Sequence, residues 1–151
     1  MTPEVIDPPT GSWKRAEHRE QRVRRPAAQA AREAGSPMTA YAIAHFRPAE
    51  PNPEICAYIE SIQATLDPFG GRFLVHGGEL DIREGSWPGA VVVIVFPGMA
   101  QARAWYDSPA YEEILPLRTR HIAGDVILVP GVPDDYDPAE TAARMRAAMA
   151  G

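Results

Sequence analysis

His45 and His76 are the side chains best suited to moving protons near neutral pH, because histidine ordinarily titrates there. Glu79 follows His76 by three residues across Gly77-Gly78, so a bend would set a carboxylate beside an imidazole. Such a pair orients a general base, or it simply solvates a loop. Tyr111 and Arg118 would present a phenol and a guanidinium at the mouth of a cavity, the equipment that fixes a carboxylate ligand. The alternative for Arg118 is an ion pair with Glu112 or Asp125. Trp105 and Tyr106 read as ordinary helix–sheet packing. The lone Cys56 excludes an internal disulfide and a cysteine-rich zinc site. It falls with Glu60, Gln63 and Asp67 on the polar side of a helix. No Gly-x-Ser-x-Gly elbow and no Walker-type glycine loop ending in Lys-Ser/Thr occurs.

These groups must be held by elements that the hydrophobic pattern defines. Tyr41 to Phe46 reads as a first strand, with Tyr41, Ile43 and His45 on one face and Ala40, Ala42 and Ala44 on the other. Asn52 and Pro53 suit the N-cap and first position of a helix, which carries Ile55, Tyr58, Ile59, Ile62 and Leu66 as one apolar stripe. Arg72–His76 is the second strand, and Gly77-Gly78 allows a bend before Glu79 to Ile82 extends it. Val91 to Phe96, apolar throughout, is the third strand. Met99 to Tyr106 is a second helix; Ser108-Pro109 re-caps a further turn or two through Leu115, before Pro116. Asp125 to Val129 is the fourth strand. Asp137-Pro-Ala-Glu140 resembles a capping box opening an Ala-rich helix over 138–149, which has little to dock with beyond Met145 and Met149.

The order βαββαβ, with right-handed crossovers, gives an α+β ferredoxin-like sandwich: a four-stranded antiparallel sheet with helices on one face. In that topology the first and second strands flank the third and lie about 10 Å apart, at roughly 4.8 Å per step. His45 and His76 of one chain therefore cannot share a metal ion, since Zn–N bonds are only about 2.1 Å long. The open sheet face should alternate apolar and polar residues, yet 91–96 and 126–129 are apolar on both faces. A patch of that size marks an interface, and a twofold homodimer with sheets packed face to face is the economical solution. His45, with Tyr41 beside it, would then face the interior of the barrel so formed.

Tyr41-Ala-Ile-Ala-His-Phe-Arg-Pro48, Phe69-Gly-Gly-Arg-Phe-Leu-Val-His-Gly-Gly-Glu79, Val92-Val-Ile-Val-Phe-Pro97 and Ala104-Trp-Tyr-Asp-Ser-Pro-Ala-Tyr111 resemble the domain-of-unknown-function family thirteen-thirty. Arg118 falls where that family usually has an arginine. The resemblance spans about residues 38–133 and neither tail. It implies membership of the dimeric α/β-barrel superfamily, whose other members include monooxygenases, isomerases and haem enzymes, and it brings no reaction of its own.

The chain has 151 residues, and its charge divides it into three parts. Residues 1–37 carry net +2 and few large apolar side chains, the composition of a disordered or loosely helical leader. Met38 offers a natural start just before the first strand. Residues 38–133 carry net -5 and almost all of the aromatic and branched residues; residues 134–151, the tail with its short helix, carry net -2. No apolar run reaches the roughly 18 residues of a membrane span, and the first residues lack a signal peptide's apolar core, which points to the cytoplasm. The basic cluster Lys14 to Arg25 has only Trp13 for stacking and no base-reading motif, which argues against nucleic acid. The expected function is binding or transformation of a small organic molecule in the barrel cavity, with no tightly bound cofactor and no metal. His45 is the first acid–base candidate, His76 and Glu79 are further ones, and Tyr41, Tyr111 and Arg118 contact the ligand. The alternative is a non-catalytic ligand-sensing or assembly module.

Overall fold

The computed structural model describes residues 39–151, so the readings of residues 1–37 and of Met38 lie outside the described residues. Strand β1 is Ala40–Phe46, helix α1 Pro53–Leu66, β2 Arg72–His76, β3 Ala90–Phe96, α2 Met99–Tyr106, α3 Pro109–Thr119, β4 Gly124–Pro130 and α4 Pro138–Ala150. All strand pairings are antiparallel and the sheet order is β2-β3-β1-β4, the ferredoxin-like arrangement. Ala40, Ala42 and Ala44 are buried beneath the helices, where their short side chains let α2 approach the sheet. Tyr58, Ile62, Thr65 and Leu66 bury one face of α1. Its start is fixed as the sequence suggests: the Asn52 side chain accepts from the Glu54 amide at 2.8 Å, and Pro53 occupies the first turn.

Two elements differ from expectation. Residues 79–82 do not extend β2. The last rung is the Gly77 amide donating to the Val91 carbonyl at 3.1 Å, and Gly77, at φ +68°, then turns the chain out of the sheet. Helix α3 runs through Pro116 to Thr119 instead of stopping at Leu115. An interior proline costs about 3 kcal/mol. The turn beyond it places Arg118 against the core and closes with the Ile122 amide on the Arg118 carbonyl at 2.9 Å, so tertiary packing outweighs that cost. Ser108 caps α3 by accepting from the Tyr111 amide at 3.2 Å. In α4, Asp137 accepts from the Ala139 amide at 2.9 Å, and Met145 and Met149 are exposed.

The two sheet faces are sharply different. Toward the helices, one row crosses all four strands at a single level: His76, Val92, Ala44 and Val126. On the open face the corresponding rows are Val75–Val93–Ile43–Ile127 and Val91–His45–Asp125. Ile127 is 54% exposed there, and Val75 is exposed as well. The open face is therefore apolar through its centre, as the strand pattern requires.

Candidate functional site

The sequence-predicted site residues fall on opposite faces of the sheet. Tyr41 and His45 share the open face. Trp87 stacks on the His45 ring at 4.2 Å between centroids, and His45 Nε2 lies 2.8 Å from the Pro88 carbonyl oxygen. That carbonyl can only accept, so Nε2 carries the proton and Nδ1 is left as the acceptor. Arg47 pairs with Asp125 at 2.8 Å beside it. Tyr41 accepts from the Thr39 hydroxyl at 3.2 Å. Tyr111, Arg118 and His76 lie on the other face, under or beside the helices. Tyr41 and His45 therefore cannot share one cavity with Tyr111 and Arg118, because side chains of alternate strand positions point to opposite sides of a sheet.

What the structure does assemble is a pocket of about 40 Å³ between sheet and helices. Ala44 and Val92 form its floor, and Trp105 and Tyr111 stand opposite. Its exposed lining residues, Ile59 and His76, mark its mouth. Trp105 is held by its Nε1–H donating to the Thr65 hydroxyl at 3.0 Å, and it packs on Tyr111 at 4.2 Å. The Tyr58 and Tyr111 hydroxyls lie 2.7 Å apart. Each phenol has one proton; one is used between them, so the other must find a different acceptor.

Arg118 completes the pocket. It is only 4% exposed, with its guanidinium 4.7 Å from the Phe46 ring centroid and 5.6 Å from that of Tyr58. The ion pair envisaged with Glu112 or Asp125 does not form. Asp125 lies opposite His45 on the open face and takes Arg47 instead, and Glu112 is exposed. Arg118 Nε is buried and has no hydrogen-bond partner. Burial works against the guanidinium's charge, but the Tyr111 and Tyr58 oxygens outweigh it and hold the Arg118 pKa above its usual value. Burial, and then the adjacent Tyr111 hydroxyl, push the Tyr58 phenol well above its ordinary range despite Arg118. At neutral pH the site thus sets the Arg118 cation beside the neutral Tyr58 phenol. No Asp or Glu lines it, so it is rich in donors and poor in acceptors.

His76 stacks on Phe73 at 4.7 Å, at the edge of the same floor. Glu79 is exposed in the loop beyond Gly77, and neither side chain has a hydrogen-bond partner, so the expected imidazole–carboxylate pair is not made. Tyr58 is the polar pocket side chain that sequence reasoning missed. It counted as one apolar residue of a stripe, although a buried phenol requires a polar partner, and that requirement was a readable signal. Cys56 is exposed. Among the described residues no group of three His, Cys, Asp or Glu side chains gathers to hold a metal, and no helix is long and apolar enough to cross a membrane.

Residues 39–132 match the sequence model of a domain of unknown function, DUF1330. No match is found among curated proteins. Among solved structures, the chain resembles the RPA0582 protein of unknown function from Rhodopseudomonas palustris, at 16% identity and a TM-score of 0.50. That alignment covers 64% of this chain and 84% of the other. It is also similar to SnoaB, a cofactor-independent oxygenase from Streptomyces nogalater (14% identity, TM-score 0.46, 66% and 99% covered). A dimeric ferredoxin-like protein of unknown function from Thermobifida fusca is similar at 22% identity and a TM-score of 0.44, with 64% and 92% covered. At such identities the likeness concerns the fold alone.

Proposed function

The chain belongs to the DUF1330 family, a family whose description names no reaction, and we propose that it is a homodimer in which each protomer binds a small organic anion between its sheet and its helices. The observation that carries this reading is Arg118: a guanidinium 4% exposed, without an acidic partner and with an unpartnered Nε. Two tyrosine oxygens hold the charge, but no protein group meets Nε, and an anionic ligand supplies that missing partner. A free phenol proton from the Tyr58–Tyr111 pair adds a second donor for the same ligand. The pocket's 40 Å³ corresponds to about three water molecules, the room needed by a carboxylate of roughly two to four carbons. Apolar walls with a few convergent polar groups are the usual make-up of such sites.

Dimerisation is supported by the open face, where Ile127, Val75, Ile43 and Val93 form one apolar row. Packing two such faces together removes that row from water. His45, Trp87 and the Arg47–Asp125 pair would lie along the edge of this contact rather than in the ligand pocket.

Titration calorimetry with acetate, pyruvate and the uncharged pyruvamide tests the ligand reading. One pyruvate should bind per protomer, acetate more weakly and pyruvamide not at all. Equal binding of pyruvamide, or none of any, would remove the anion reading.

A further inference from the structure

We propose that the pocket catalyses proton exchange at the carbon next to the carbonyl of a short 2-oxo acid, with His76 as the base and Arg118 with the tyrosine pair holding the enolate oxygen. This rests on the anion-binding reading of the same pocket. The floor row sets the geometry: His76, Val92 and Ala44 are consecutive across β2, β3 and β1, so the His76 and Ala44 backbones lie about two strand spacings, or roughly 10 Å, apart. Arg118 stands over Phe46, two residues along β1 from Ala44. A ligand whose carboxylate meets Arg118 Nε therefore points its other end along the floor toward His76 at the mouth.

The chemistry matches the distribution of donors and acceptors. His76 has no hydrogen-bond partner and its ring is braced by Phe73 at 4.7 Å, so a ring nitrogen is available to accept a proton. The base takes a proton from the methyl or methylene carbon, and the C–H electron pair becomes the C=C bond. The carbonyl π pair moves onto oxygen, where the guanidinium and the free phenol proton meet the developing charge. The lining contains no carboxylate that would oppose that charge. Return of a proton from the imidazole to carbon restores the 2-oxo acid, so the step needs no oxidant, reductant or co-reactant.

The test is ¹H NMR of pyruvate in D₂O with the full-length protein, following loss of the methyl signal as deuterium enters, with calorimetry run on the same samples. Wild type should exchange the methyl protons well above the buffer rate. His76→Gln should slow exchange by about 100-fold or more while binding pyruvate as before. Arg118→Met should lose binding and exchange together. Pyruvate bound but not exchanged, or exchange untouched by His76→Gln, overturns this inference and leaves the binding reading standing. Absence of pyruvate binding overturns both.

Discussion

Replacing Arg118 by methionine separates a residue kept for a ligand from one kept for the fold. Methionine preserves most of the apolar stem and deletes the charge. Removing the buried guanidinium relieves its desolvation and about 1–3 kcal/mol for the unsatisfied Nε. It forfeits the hydrogen bonds to the Tyr111 and Tyr58 oxygens, which outweigh burial in holding the charge, and the cation–π contacts with Phe46 at 4.7 Å and Tyr58 at 5.6 Å, each worth about 0.5–2 kcal/mol. The two sides nearly cancel, so the variant should melt within about 4 °C of wild type in ligand-free buffer, a difference of about 1 kcal/mol or less. Adding pyruvate should open a gap in favour of wild type, since binding stabilises only the wild type by mass action. Scanning calorimetry in carboxylate-free buffer, repeated with pyruvate, reads both arms. A variant that melts more than about 4 °C below wild type in ligand-free buffer would refute the reasoning, because Arg118 would then be holding the core together.

Light scattering should give twice the 16.5 kDa chain mass, and Ile127→Asp, which places a charge in the apolar row of the open face, should yield folded monomer. Gly89→Ala should cost more than about 3 kcal/mol in urea unfolding: Gly89 sits at φ +104°, and a Cβ there would lie 1.8 Å from the Phe46 carbonyl oxygen. Glu54 is held below its ordinary 4.5, first by the hydrogen bond to His121 and, against the opposing effect of burial, by Arg120. Its stabilisation is therefore fully present above about pH 4.5 and is lost as pH falls through its lower folded-state value. Glu54→Gln should accordingly melt lower than wild type at pH 7, with the gap closing below pH 4. Cys56→Ser, changing an exposed thiol, should alter neither melting nor ligand binding.

Most of the fold was legible because its signals are local. Alternation of Ala40, Ala42 and Ala44 with Tyr41, Ile43 and His45 assigned both faces of β1 correctly, and Asn52-Pro53 fixed the start of α1. The departures came where a distant contact outweighed a local preference. Pro116 should end a helix, and packing of Arg118 carries α3 past it. Glu79–Ile82 has some strand character, and the left-handed turn at Gly77 denies it a partner. Arg118 and Tyr111 were expected near one cavity from their chemistry, and both line the sheet–helix pocket. Their separation from His45 was not legible, because which sheet face α3 covers is a property of the assembled layers. Tyr58 was hidden by its own helix stripe, where a phenol and a leucine look alike.

A crystal structure of the protein with pyruvate bound tests the central claim most directly. The carboxylate should lie in the sheet–helix pocket, one oxygen about 2.7–3.1 Å from Arg118 Nε and the carbonyl oxygen within hydrogen-bond reach of the Tyr58–Tyr111 pair. Pyruvate seated on the open face beside His45, or a pocket closed over Arg118 with its Nε bonded to a protein acceptor, would contradict the account.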